Sequence, residues 1–468
     1  MREICGSSIA VNDVCELVEE GFKLCKSSIS KADESRRFYE KVVKEGRIYG
    51  SSTGLGALSS VEVKGQKEDK IIVEHDVGIG KVAPQPLVKL AMIIRLNQLS
   101  LGNAPVRPDA LKRFEDVINS DIIPVVNIEG SVGASGDLAP FARIVRCVFL
   151  GEGEAFMNGK KVKCEEALKF HKLEKLGLET GEALALINTN AWSVAGTSLG
   201  VCIANRLLKK SFEVLKKTME VTGCNKQHFS DEISQVKKPK GIKEALDLLG
   251  VECKKTPRLQ DPYSIRCIPQ IYGAALSALE YSSSLLEAES GSSSTNPFIY
   301  NGKAYHACNF HAIYAGLAAD VAKIAIAYIG NSIERRIAHL LNSSTTGLPE
   351  FLASKDSPTG AMIYQYTAAS LSAKLRGISL PMSVHSIPTS GFQEDVVSMA
   401  PNAFVELLRA DSTMLMLIAI EDALAKQAMR VMKGIGIGDP RVAIENSLEE
   451  IIASTSLIKF REFLLETM

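Results

Sequence analysis

The stretch GSVGASGDLAP, residues 130–140, puts three glycines, two alanines and two serines into eleven positions. Three readings compete for it. In the first, Ser135 or Asp137 caps the helix that follows and the glycines form a turn. In the second, the start of that helix binds phosphate, but the stretch has neither G-x-x-x-x-G-K-[ST] nor G-x-G-x-x-G spacing. The third is chemical. A tight bend at Ala134-Ser135-Gly136 lets the amide nitrogen of Gly136 attack the carbonyl carbon of Ala134, an approach that only glycine leaves unhindered. Loss of one water closes a five-membered ring. Loss of the Ser135 hydroxyl as a second water leaves an exocyclic methylidene, an electrophile built from the chain itself. Nearby helix N-termini would stabilise negative charge on it.

The rest of the composition narrows the class. The chain has 468 residues, 46% of them hydrophobic. That length allows about two to four domains or one large helical body. Lys+Arg and Asp+Glu are both 54, so the net charge is zero and no basic face for nucleic acid is indicated. Aromatics make up 6%, with Trp192 the sole tryptophan, which argues against a base-stacking platform. The ten cysteines form no C-x-x-C pair. They read as reduced, mostly buried thiols of a cytoplasmic protein, and the even spacing of Cys5, Cys15 and Cys25 reads as chance. No apolar run reaches transmembrane length, and residues 413–420 read as a buried helix segment. The first residues are too acidic and polar for a secretory signal.

Along the chain, residues 1–45 predict helix with charged faces, and 50–56 a loop. Residues 87–101 predict an amphipathic helix ended by Gly102. IIPVVNIEG, before the small-residue stretch, predicts a short strand or extended segment. FARIVRCVFLGEG predicts helix up to Gly151, and EAFMNGKKVKC a hairpin turning at Asn158-Gly159. Beyond residue 180 helix dominates. Ile313, Leu317, Val321, Ile324 and Tyr328 mark one helix face, and long runs cover 191–221, 269–289 and 402–432. The organisation expected is an N-terminal part, 1–190, with the small-residue loop and a tyrosine loop, then a long-helix bundle over 191–468.

GSVGASGDLAP closely resembles the motif of the aromatic amino acid ammonia-lyases in which Ala-Ser-Gly becomes methylidene-imidazolone. YGSSTGLG, ALINTN, QDPYSIRCIPQ, NFHA, SIERRIAHLL and SIPTSGFQEDVVSMAP follow in the family's order, over nearly the whole chain. The resemblance implies a mainly α fold of the fumarase/aspartase-like type: a long-helix bundle core with a smaller mixed N-terminal part. It implies a homotetramer whose active sites are shared between subunits, an amino-acid substrate, and a prosthetic group made from Ala134, Ser135 and Gly136. No metal or nucleotide, no nucleic acid and no membrane partner is expected.

The same resemblance supplies roles. Loss of ammonia needs the amine made into a leaving group and a β-proton removed. Tyr49, taken alone a loop tyrosine packed on glycines, matches the family's base, and cations or helix N-termini nearby would lower its pKa. Arg266 matches the arginine that takes the substrate carboxylate as a bidentate fork. Tyr263 shares its helical face, and Gln260 opens the same motif. Asn188 matches an asparagine that holds the ring carbonyl or the carboxylate, and Phe310 a pocket wall. His75 falls at a position that reads the side chain. Glu394, within Gln393-Glu394-Asp395, and Met362 follow the branch that acts on histidine. A carboxylate suits an imidazole and is a poor neighbour for a bare phenyl ring. Glu334-Arg335-Arg336 reads as structural pairing, and His306 and His311, five apart, do not form a metal pair.

The chain departs from the family's usual pattern at Ser52, Leu55, Thr189-Asn190, Cys308, His385 and Val396. These flank the pocket. A lyase or aminomutase acting on another aromatic or modified imidazole amino acid therefore stands as the alternative, with a non-catalytic helical oligomer as a third reading.

Overall fold

The computed structural model describes every residue except 47, 63–66, 251–255, 257 and 467–468. The architecture is mainly α. Seven helices matter here: α1 (Gln85–Leu99), α2 (Leu138–Leu150), α3 (Glu182–Ile187), α4 (Ala191–Thr222), α5 (Ile268–Ser290), α6 (Ile313–Leu340) and α7 (Ala400–Met432). By packing, the chain divides into two units. One holds Met1–Leu199, Ser283–Ala318 and Pro381–Val405, the other Gly200–Ser282, Ala319–Leu380 and Glu406–Met468. The divisions at 199, 282, 318 and 405 fall inside α4, α5, α6 and α7.

The first unit carries the small sheets. Where helix was expected over 1–45, Arg2–Ile4 pairs in parallel with Phe22–Leu24, and the helix runs only from Lys26 to Glu45. Phe22 and Leu24 are buried on either side of exposed Lys23, a period of two that no helix satisfies. The expected hairpin forms from Glu154–Met157 and Lys160–Lys163, and Ile123–Pro124 adds to it. Asn127–Glu129 pairs antiparallel with Ile79–Val82. That strand delivers the chain straight into residues 130–137, and α2 follows, ending at Gly151 as expected. Asp137 stands at the N-cap position, but its side chain does not bond its own helix. It turns inward instead. The capping reading of the stretch is corrected accordingly.

Helix α1 forms where a helix was expected, but it is not amphipathic. Leu90 to Leu99 are buried without a break, Arg95, Asn97 and Gln98 included. Segments far along the chain supply most of their partners, with Arg95 Nε left buried and unpartnered, so a local apolar period does not describe them. In the same unit Trp192 meets Phe404 edge-on, with ring centroids 6.1 Å apart.

In the second unit Arg336, fully buried, donates to both Glu421 oxygens at 2.6 and 2.8 Å and to the Tyr272 hydroxyl at 3.0 Å. Charge pairing at Glu334-Arg335-Arg336 is therefore structural, with Glu421 as the main partner. Asp411 of α7 is also fully buried, and neither of its oxygens has a hydrogen-bond partner.

The expectation of reduced cysteines is overturned at Cys224, which is disulfide-bonded, and at two pairs of described residues. Cys5 joins Cys25 and Cys147 joins Cys164, with Cα atoms 5.3 and 5.4 Å apart. The spacing set aside as chance thus contains a bonded pair. Cys267 and Cys308 are free thiols, and Cys253 lies outside the described residues. Residues 413–420 are buried as expected, apart from a half-buried Met416. By length and composition α6 is able to cross a membrane, contrary to the sequence reading, but 61% of its most apolar window is buried inside the protein, as in a core helix.

Candidate active site

The small-residue stretch lies at one wall of a cavity of about 550 Å³ in the first unit, lined by Tyr49, Ser135, His306, Phe310, Glu394 and others. The backbone there is bent as the chemical reading requires. Gly136 has φ +72°, and a Cβ on it would lie 2.4 Å from the Thr189 carbonyl oxygen, so hydrogen alone fits. The Asp137 N–H donates to that same oxygen at 2.6 Å.

Two side chains address Ser135. Asn188, buried just past α3, donates from Nδ2 to the Ser135 carbonyl at 2.7 Å, and its own Oδ1 accepts from the Asn296 N–H at 2.8 Å. Ser135 Oγ donates to Glu394 Oε1 at 2.5 Å. Glu394 is held in turn by Thr389, whose hydroxyl donates to Oε2 at 2.6 Å. Asp137, fully buried, accepts from the Ser131 and Ser193 hydroxyls, both at 2.9 Å, and from the Ser193 N–H at 2.8 Å. Burial outweighs those bonds and pushes its carboxyl up to about 6.

Beneath Asn188 lies a network that the sequence did not suggest. Gln98 of α1 accepts from the Thr189 hydroxyl at 2.8 Å and the Ser294 hydroxyl at 2.6 Å, and donates to Asn190 Oδ1 at 2.9 Å. Arg95 reaches Ser294 at 3.2 Å and the Ala185 carbonyl at the end of α3. Thr189-Asn190, a departure from the family's usual pair, is thus fully used. Each such bond contributes about 1 kcal/mol net, and stranding one partner costs more. Polar residues inside an apolar helix were the one signal that pointed to this network.

Tyr49 stands across the cavity, and the Gly56 N–H donates to its hydroxyl at 2.8 Å. Burial holds the phenol above its ordinary value, the Gly56 bond pulls it down, and the carboxylate of Glu394 pushes it up. The lowered phenol expected from the sequence is therefore not found within the single chain. His306, considered in the sequence only as half of a metal pair, lines the cavity, as does Asn296.

The remaining candidates lie elsewhere. His75 ends the helix Glu68–His75 with Nδ1 2.7 Å from the Ile71 carbonyl, and it does not line the cavity. Gln260, Tyr263, Arg266 and Met362 belong to the second unit, and none of them lines the cavity. Arg266 stacks its guanidinium 4.7 Å over the Tyr263 ring, with Nε buried and unpartnered, while Tyr263 is 68% exposed. No lysine or arginine is among the described residues lining the cavity. Among the described residues, Glu3, Cys5 and Cys25 bring three ligand-type atoms together outside the cavity, but the disulfide between the two cysteines takes up their sulfurs.

The family described as aromatic amino acid lyase matches residues 9–450. The probable histidine ammonia-lyase of Thermoplasma volcanium is 36% identical, over 92% of this chain and 90% of that protein. The histidine ammonia-lyase of Caldanaerobacter subterraneus subsp. tengcongensis is 35% identical, over 93% and 90%. The solved structure of a tyrosine aminomutase from Streptomyces globisporus superposes with a TM-score of 0.90 at 26% identity, covering 98% of each chain. The chain belongs to the aromatic amino acid lyase family.

Proposed function

We propose that this protein eliminates ammonia from L-histidine to give trans-urocanate, using a methylidene-imidazolone formed from Ala134, Ser135 and Gly136. The observation that carries the reading is the pair of bonds on Ser135. Cyclisation joins Gly136 N to the Ala134 carbonyl carbon and expels that carbonyl oxygen as water. The Ser135 carbonyl survives as the ring carbonyl, and it is the atom that Asn188 holds. The Ser135 hydroxyl, which must leave, is the one bonded to Glu394. The left-handed turn at Gly136 fits the ring closure.

When formed, the group supplies an electrophilic carbon for the substrate's amine. The chain's own residues do the rest. Tyr49 takes the β-proton, and the Gly56 N–H stabilises the phenolate that does so. Glu394 accepts an N–H from the imidazole, and Phe310 walls the ring. His75 and Met362 are assigned to the same imidazole end. Arg266, with Gln260 and Tyr263, takes the substrate carboxylate.

The last assignment requires a partner. Among the described residues lining the cavity there is no lysine or arginine, and Arg266 has an unpartnered Nε. On α6 the positions Leu317, Val321, Ile324 and Tyr328, spaced four, three and four apart, lie on the face the sequence singled out; three of them are exposed and Val321 is partly so. An apolar heptad stripe on the surface suits helix–helix contact between copies. These observations support a homotetramer with shared sites. The cytoplasm is the proposed compartment, where the two joined cysteine pairs are an exception to the usual reduced state.

The test is near-ultraviolet absorbance on mixing the purified protein with L-histidine, together with intact mass. A steady rise and a mass short by two waters, about 36 Da, are expected. S135A should keep the unmodified mass and give a flat trace. A flat trace from the native chain with the two waters lost would favour the alternative substrate, an aromatic or modified imidazole amino acid, for lyase or aminomutase chemistry. The aminomutase likeness is the observation behind that second reading.

A further inference from the structure

Tyr49 sits on an irregular loop, and two side chains from distant segments reach the loop's main chain. The Tyr49 N–H donates to His306 Nε2 at 3.3 Å, just after the hairpin Phe298–Tyr300/Lys303–Tyr305. The Ala57 N–H donates to Ser390 Oγ at 3.2 Å. Between these two points lies Gly56, whose N–H carries the Tyr49 hydroxyl. Gly56 has φ +55°, and a Cβ on it would lie 2.2 Å from Ser390 Oγ, so the serine rests directly against that residue.

The turn that presents Ser390 is strained. Ser390, Gly391 and Phe392 have φ of 50, 59 and 68°, three left-handed residues in succession, two of them not glycine. Phe392 is 78% exposed, so packing of its ring does not explain the conformation. What the turn achieves is placement: Ser390 at the Tyr49 loop and, four residues on, Glu394 at Ser135. Strain of this kind persists where the surrounding structure over-determines it.

We propose that His306 and Ser390 are positioning residues that clasp the Tyr49 loop at its two ends, and so hold the phenol oxygen on the Gly56 amide facing Ser135. The inference rests on the reading of Tyr49 as the base. His306 acts as neutral imidazole, with its proton on Nδ1 and Nε2 accepting. Neither residue touches the substrate's reacting atoms.

The experiment uses the full-length assembled protein and four variants. Ser390→Gly removes the hydroxyl without adding backbone strain, because glycine takes the left-handed φ freely. Ser390→Asn keeps an acceptor and tolerates positive φ. His306→Ala removes the acceptor at the other end, and His306→Gln restores one. Hydrogen exchange at residues 49–60 should quicken roughly tenfold in S390G and H306A. Their kcat on L-histidine should fall roughly ten- to a hundredfold with KM little changed. S390N and H306Q should recover most of both, and every variant should still lose two waters. Native-like exchange in both deletion variants would overturn the clasp, as would a loss of kcat that neither acceptor variant recovers. If the native chain loses two waters and yet does not turn over L-histidine, the functional reading fails, and the exchange arm still decides the clasp.

Discussion

At Gly136 a left-handed φ and a carbonyl 2.4 Å from any added Cβ explain why the chain spends its smallest residues there. The residues named from the motifs divide by chain context. Tyr49, Ala134, Ser135, Phe310 and Glu394 line one cavity, and Asn188 reaches its wall through the Ser135 carbonyl. His75, Gln260, Tyr263, Arg266 and Met362 are not on that wall. Motif order identifies residue types and says nothing of which copy of the chain supplies them. Gln98, Ser294 and Asn296 were illegible for another reason. Their partners lie roughly ninety to two hundred positions away, and no local period encodes such a bond. Y49F should separate maturation from turnover. It removes the proposed base and leaves Ala134-Ser135-Gly136 untouched, so the mass should still be short by two waters while kcat drops roughly a hundred- to ten-thousandfold. Intact mass and the absorbance assay on one preparation check both halves.

At the scale of elements, long apolar runs gave good helix positions, because α4 and α7 are buried nearly all round, α5 is buried along one face, and their length cannot be mistaken for strand. The N-terminal strand pair was missed because its strands are three residues each, too short for a period of two to stand out. Asp411 is the group on α7 that the apolar reading ignored. It is fully buried and unpartnered, and burial pushes its carboxyl well above the usual carboxylate range. The folded chain therefore holds the proton that the unfolded chain has lost. That contribution is complete below the unfolded value near 3.8 and falls away as pH rises toward the folded value. D411N should raise stability at pH 8 by about 1–3 kcal/mol, with the advantage shrinking at pH 4. Thermal melts of both proteins at the two pH values check it. A larger advantage at pH 4 would mean that the carboxylate has a partner after all.

At the scale of the whole molecule, the stripe on α6 was read from the sequence as one apolar helix face, and it is largely at the surface of a single chain. Periodicity reports that a face is apolar and cannot say whether the apolar neighbour is this chain or another copy. I324D with Y328D places two carboxylates on that stripe. Sedimentation should show a smaller species than the native protein, and turnover should fall with it if the cavity borrows its cation from a partner. A variant that stays assembled would remove the stripe from the interface. The joined cysteine pairs were illegible for the same reason as the polar network, since spacing alone does not say which thiols meet.

The hold on residues 130–137 has a consequence for the life of the chain before it is finished. Thr189, Asn188 and Ser398 press on the loop from segments made after it: a Cβ on Gly133 would lie 2.2 Å from Ser398 Oγ, and the Ser398 hydroxyl donates to the Gly133 carbonyl at 2.9 Å. A ribosome-bound or unfolded chain lacks that vice. The warhead proposed here is therefore armed late, and a misfolded copy stays chemically harmless to the thiols around it. If the proposed ring forms, loss of two waters would mark the molecules that have closed correctly from residue 130 to residue 398.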